Sequence, residues 1–313
     1  MMRPAISGGK AAHALYRDEA LGATLVEKAT AWIRQQHDKP FFLYFATPHI
    51  HHPFTPAPRF KGTSECGRYG DYIHEFDWMV GELLRTLDEL KLRDNTLVIL
   101  TSDNGGMLNQ GGQDAWQAGH RLNGNLLGFK FDSWEGGQRV PFIARWPGKI
   151  EAGSTSDQLI CHVDLLATVA LLTAGKLTAA DGPDSFNILP ALLGRPDQPI
   201  RDHVVLAPNK KQNLALREGR WVYIGAQGGG GFTGTKPGDH TLGGPAALKF
   251  TGEKNNDIED GRIKPDAPLE QLYDLGSDPS QSHNVVREHP EVAARLKARL
   301  RDLQTKPRTA PSP

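Results

Sequence analysis

The sequence predicts an α/β fold: a sheet flanked by helices over residues 1–198, then a small antiparallel sheet with a C-terminal helix over residues 199–313. Three observations lead there. In the amino-terminal half, segments with apolar residues at three- and four-residue spacing alternate with short, wholly apolar runs. After residue 198 come brief β-rich runs separated by turn chemistry. The 313 residues are 38% hydrophobic and 23% charged, enough for a core that would bury about three quarters of the unfolded surface if the chain folds as one unit.

Residues 18–36 place Leu21, Leu25, Ala29, Trp32 and Ile33 on one helical face. After Pro40, the run Phe41-Phe42-Leu43-Tyr44-Phe45-Ala46 is apolar on both faces and reads as a buried strand of a parallel or mixed sheet. A second helix is predicted over 71–92, with Ile73, Phe76, Val80, Leu83, Leu84 and Leu87 as its buried stripe. Thr96-Leu97-Val98-Ile99-Leu100-Thr101 is the next apolar strand, and this βαβ rhythm implies a sheet between helices. Residues 105–134 are polar and glycine-rich and read as a long loop, a kind that is usually functional or disordered. A strand resumes at Val140 and ends at Pro147-Gly148; residues 163–173 form a short apolar helix that should be buried. A Gly/Pro/Asp cluster at 194–198 marks the domain boundary. Beyond it, runs at Val204, Leu214 and Trp221 predict the antiparallel sheet. A last helix opens at Pro290 with Val292, Leu296, Leu300 and Leu303 on one face, and 306–313 reads as a frayed proline-rich tail.

Composition excludes several classes. Equal numbers of basic and acidic side chains, 36 each, give no global field for nucleic acid or an anionic membrane. Two cysteines, Cys66 and Cys161, rule out a disulfide scaffold or a four-cysteine zinc site. No apolar run approaches the ~20 residues of a membrane span, and no signal-peptide pattern is visible at the start. The glycine run at 228–231 lacks the Gly-Lys-Ser/Thr of a P-loop, and there is no Gly-x-Ser-x-Gly elbow.

Two strand ends carry candidate chemistry, because ligands of open α/β sheets bind outside the carboxyl ends of strands. One run continues into Thr47-Pro48-His49-Ile50-His51-His52-Pro53, the other into Ser102-Asp103-Asn104-Gly105-Gly106. Asp103 and Asn104 offer hard oxygen ligands suited to calcium or magnesium, although such a tract is also a common turn. The three imidazoles suit a transition metal, proton donation to an anion, or an exposed loop. Lys130, in Gly128-Phe129-Lys130-Phe131-Asp132-Ser133-Trp134-Glu135-Gly136-Gly137, is either a solvated surface charge or a point charge for a phosphate or sulfate oxygen.

In order, Lys39-Pro40-Phe41-Phe42-Leu43-Tyr44-Phe45, His49-Ile50-His51-His52-Pro53, Asn95 to Gly105, Lys130 with Trp134-Glu135-Gly136-Gly137-Gln138-Arg139-Val140-Pro141, Asp181-Gly182-Pro183-Asp184-Ser185 and Leu272-Tyr273-Asp274-Leu275 resemble the sulfatase family. The likeness is to arylsulfatase A-like enzymes of the alkaline phosphatase superfamily and extends from about residue 10 to 303. It implies an alkaline phosphatase-like mixed sheet and hydrolysis of a sulfate ester, on a sulfated small molecule or glycan. It also implies Asp103 and Asn104 as ligands of one divalent cation, calcium in most members. His51 matches the histidine that contacts sulfate and assists the leaving oxygen, and Lys130 the lysine that clamps a sulfate oxygen. The four are expected to converge on one cleft.

The family nucleophile is a formylglycine made from Cys or Ser in a Cys/Ser-x-Pro-x-Arg motif, accompanied by a paired aspartate metal site and a Gly-Lys-Trp-His segment. None of the three occurs in these 313 residues. The resemblance therefore implies the carboxyl-terminal portion of a sulfatase, inactive alone. Competing readings are a non-catalytic remnant that binds anions, and a phosphatase or phosphodiesterase of the same superfamily. The latter would carry Asp-His-Gly and a two-zinc histidine site, whereas here Asn104 follows Asp103. Family members are usually exported; the sequence itself carries no address.

Overall fold

A computed structural model describes residues 2–4, 15–36, 38–178, 180–195 and 198–311. The chain forms two compact units, one of residues 1–97 and 110–122, the other of residues 98–109 and 123–313.

The first unit is mainly helical, with one short antiparallel strand pair, Met2–Pro4 with Leu15–Arg17. Helix α1 (Leu21–Gln36) buries Val26, Ala29 and Ile33, the face its periodicity predicts. Helix α2 (Gly67–Glu89) packs against it. Its deepest positions include Tyr72, Glu75, Met79 and Leu87; of the predicted stripe Leu87 is buried, whereas Ile73, Phe76, Val80, Leu83 and Leu84 are only partly covered. The buried face is rotated by about one residue, and it includes a carboxylate. Residues 41–46, predicted as a buried strand, form no strand among the described residues. Phe42 is 73% and Tyr44 82% exposed. Apolar side chains alone do not make a strand; the backbone groups need a partner. Residues 110–117, predicted as loop, form helix α3 (Gln110–Gln117). Two glycines give it poor intrinsic propensity, and burial of Ala115 and Trp116 overrides this.

The second unit begins at strand β1 (Val98–Thr101), which pairs antiparallel with β2 (Phe142–Arg145). All strand pairs among the described residues are antiparallel and fall into separate small sheets, so the single parallel or mixed sheet predicted for residues 1–198 is not assembled here. The carboxyl-terminal sheet follows the prediction. Strands β3 (His203–Leu206), β4 (Ala215–Glu218) and β5 (Trp221–Ile224) form an antiparallel meander, and β6 (Gln271–Asp274) adds beside β5. Side chains alternate with period two. Leu216, Tyr223 and Leu272 face Leu296, Leu300 and Leu303 of the final helix α5 (Pro290–Thr305). Ala215, Val222, Ile224 and Tyr273 face Leu127, Trp134 and Leu248.

Helix α4 (Leu165–Leu172) was expected to be buried, yet Leu166 and Leu171 are 48% and 56% exposed. Its anchor is polar: Thr168 Oγ1 donates to Asp164 O at 2.7 Å and accepts the Ile188 N–H at 3.0 Å. The tail, expected to fray, is tied down through residue 310, because the N–H groups of Thr309 and Ala310 both donate to Pro183 O.

Candidate functional site

Strand β1 ends in Ser102-Asp103-Asn104-Gly105-Gly106, where Asp103 is exposed and Asn104 half-buried. Ser102 Oγ donates to Asn104 O at 3.0 Å, and Asn104 Nδ2 to Gly105 O at 3.0 Å. With its amide nitrogen committed to backbone, Asn104 has Oδ1 to offer to a cation. The turn is locked onto the lysine loop by backbone bonds. The Gly105 N–H donates to Gly137 O at 3.1 Å, and the Lys130 N–H to Gly106 O at 2.8 Å. A Cβ on residue 105 would lie 1.8 Å from Gly136 O, so only glycine allows this approach. Asn123 clamps the junction, accepting from the Gly106 N–H at 2.7 Å and donating to Gly128 O at 2.9 Å.

The loop that presents Lys130 is itself anchored in the core. Asp132 accepts the N–H groups of Phe129 (2.8 Å) and Gly231 (3.0 Å), and burial pushes its carboxyl up to about 7 against those bonds and the charge of Lys210. Trp134, 1% exposed, donates Nε1–H to Gln271 Oε1 at 3.0 Å, and the Tyr273 hydroxyl donates to the same oxygen at 2.6 Å. The Glu135 N–H donates to Gln281 Oε1 at 2.7 Å, and its carboxylate pairs with Arg217 at 2.8 Å. Lys130 is half-buried, its ammonium 5.2 Å from the ring centre of Phe131, a residue in the left-handed region at φ 76°.

Three of the four predicted residues, Asp103, Asn104 and Lys130, thus sit on two hydrogen-bonded segments of one unit. His51 belongs to the other unit. It is exposed, its N–H donates to Pro48 O at 2.8 Å, its Nδ1 is 2.6 Å from His52 O, and its ring stacks on His52 at 4.3 Å. His49, two residues earlier, is buried instead and faces Glu75. Sequence reading missed Asn123, Asp132 and Gln271. Their partners are backbone atoms and side chains between two and 137 positions away, a set that no local motif records.

Gly105→Ala tests the junction. The added methyl must separate two backbone segments, so a loss of about 1–3 kcal/mol is expected, with faster hydrogen exchange at the amides of Gly105 and Lys130. Unchanged exchange at both would mean that the two loops are not coupled.

The chain matches the family model described as Sulfatase over residues 6–175. It is 38% identical over 307 residues to an N-acetylgalactosamine-6-O-sulfatase of Bacteroides thetaiotaomicron, covering 96% of this chain and 54% of that protein. It is 42% identical over 174 residues to human N-acetylgalactosamine-6-sulfatase, covering 53% of this chain and 31% of the human one. A solved structure from work on glycosaminoglycan metabolism by B. thetaiotaomicron superposes with a TM-score of 0.77 at 33% identity, over 94% of this chain and 56% of that one. A sulfatase from Pseudoalteromonas sp. shares the fold at 24% identity, with a TM-score of 0.72 over 96% of this chain and 57% of its own. The chain spans about half the length of the relative that it matches almost end to end. No helix among the described residues is long and apolar enough to cross a membrane.

Proposed function

The chain belongs to the sulfatase family, and from that premise we propose that it carries part of a site that hydrolyses a sulfate ester on a glycan. Residues 1–198 are in this reading the remaining part of an alkaline phosphatase-like catalytic domain, and 199–313 its C-terminal subdomain. The observation that supports the reading is the backbone clamp between the Gly105–Gly106 turn and the Lys130 loop, which joins the segment of Lys130 to the segment of Asp103 and Asn104.

The roles follow from charge. Lys130 neutralises an equatorial sulfate oxygen, and His51 protonates the leaving oxygen. Asp103 and Asn104 are hard donors that fit a divalent cation, calcium in this reading, as two of its six to eight oxygens. When bound, the cation would supply Lewis-acid neutralisation of the sulfate. The sequence holds no Cys/Ser-x-Pro-x-Arg motif, so the formylglycine nucleophile is assigned to polypeptide outside these 313 residues. Two relatives are named for N-acetylgalactosamine 6-sulfate chemistry, which makes 6-O-sulfated galactosaminides the substrates to try first.

The test compares release of 4-nitrophenol from 4-nitrophenyl sulfate, with calcium, by this chain and by a version extended upstream with a sulfatase segment containing the nucleophile motif. Turnover is expected only from the extended protein, with kcat/KM falling about a hundredfold on Lys130→Ala. Equal turnover by both would refute the assignment of the nucleophile. An extended protein that binds sulfate without turnover would favour the non-catalytic reading.

A further inference from the structure

We propose that Glu75 is a positioning residue for His51, acting through the buried imidazole of His49. The inference rests on the reading that His51 serves the sulfate ester, and it names what holds His51 in place.

Glu75 lies in the middle of α2, on the face turned to the core. Its side chain and that of His49 are each 1% exposed, with His49 Nε2 3.4 Å from Glu75 Oε2. The same carboxylate oxygen accepts the Ala57 N–H at 3.0 Å. A buried carboxylate is costly unless it is paired and hydrogen-bonded, and this one is met by groups from both ends of the segment 49–57. His51 sits between those two anchors. Its own ties are short-range: the amide to Pro48 O and the ring to His52 O. The place of an exposed imidazole is therefore decided by where residues 49 and 57 are fastened.

The bonding around His49 is self-consistent. Its N–H donates to Thr47 Oγ1 at 3.2 Å, and Thr47 Oγ1 is 2.6 Å from His49 Nδ1. If the hydroxyl proton goes to Nδ1, the ring proton is on Nε2, which lies 3.4 Å from the Glu75 carboxylate as a close charge contact and not a hydrogen bond. Tyr72, one turn before Glu75, covers the imidazole with ring centres 4.0 Å apart. Helix α1 closes the site at Gly22, where a Cβ would fall 2.5 Å from Glu75 Oε1 and 3.2 Å from His49 Cε1. Three segments of the first unit meet on one carboxylate, and the glycine is what lets α1 come that close.

The experiment is residue-resolved hydrogen exchange on the full 313-residue chain, reading the His51 amide. Glu75→Ala removes the acceptor of the Ala57 N–H and the carboxylate that the His49 ring packs against. It should speed His51 exchange by about tenfold or more, the scale of one lost hydrogen bond of ordinary strength, beyond any change averaged over α1 and α2. Glu75→Gln keeps an acceptor oxygen and should stay within about threefold of wild type. Gly22→Ala leaves every polar group in place and presses a methyl on the carboxylate; it should also speed His51 exchange selectively. The proposal is overturned if His51 exchange is unchanged in both Glu75→Ala and Gly22→Ala. It is overturned equally if the rise is uniform across both helices, or if Glu75→Gln matches Glu75→Ala. The Lys130 turnover assay is independent, so failure of the sulfatase reading and failure of this one are told apart.

Discussion

Replacing Asp164 by alanine is expected to destabilise the second unit by about 3–5 kcal/mol, the usual cost of removing one partner from a buried ion pair. Asp164 is fully buried and Arg201 only 4% exposed, with the guanidinium Nη1 3.3 Å from Asp164 Oδ2. The carboxylate also accepts the N–H groups of Cys161 (2.7 Å) and Phe186 (3.0 Å). Burial pushes its carboxyl upward against these bonds and against Arg201. In the alanine variant Arg201 would keep its bond to Asp184 O at 3.2 Å and its place over the Phe186 ring. Its charge would be buried without a counter-charge, and two backbone donors would lose their acceptor. Asp164→Asn should fall between wild type and alanine, since it keeps one acceptor and loses the charge. Urea unfolding of the three proteins decides; a loss under about 1 kcal/mol for Asp164→Ala would mean that water reaches the pair and screens it.

The second large effect is a pH dependence centred on Asp132, two residues from Lys130. Its carboxyl is raised from 3.8 to about 7, by burial first and foremost. The sign follows from linkage. Below about pH 4 the group is neutral folded and unfolded, and it contributes no penalty. As pH rises towards 7 the unfolded chain releases the proton and the folded chain holds it, so stability falls; above 7 both forms are ionised and the loss is complete. The size is on the order of 4 kcal/mol. Asp132→Asn removes the titration and leaves one of the two buried N–H donors facing an amide NH2. The variant should therefore be the less stable protein at pH 4.5, with the gap closing or reversing by pH 7.5. Parallel stability curves over that range would show that Asp132 is ionised throughout. The consequence reaches the site, because Asp132 fixes the backbone of Phe129 and so the base of the lysine loop.

Much of this molecule is legible along the chain. Helix α1, the meander of β3 to β5 and helix α5 follow from apolar period and turn chemistry, because each presents a continuous apolar face whose spacing is set by its own backbone geometry. The candidate site residues are legible for another reason. Asp103, Asn104, Lys130 and His51 sit in short motifs whose order is informative, even where the motif alone reads as a turn, a surface charge or a loop.

What the tertiary structure decided is which of these segments find partners. Residues 41–46 and α4 have the composition of buried elements, and both keep large apolar side chains exposed, since burial requires a second surface and not merely an apolar one. Residues 110–117 have the composition of a loop and form a helix, because Trp116 found a core. Glu75 in a core stripe, Asp132 under the lysine loop, Gln271 beneath Trp134 and Asn123 between two turns are invisible to periodicity: a buried polar group is tolerated only where specific donors meet it, and those donors lie up to 137 positions away. Local pattern determined the helices, the carboxyl-terminal sheet and the four candidate residues; long-range hydrogen bonding determined the rigid setting of Lys130 and the anchoring of the loop that carries His51.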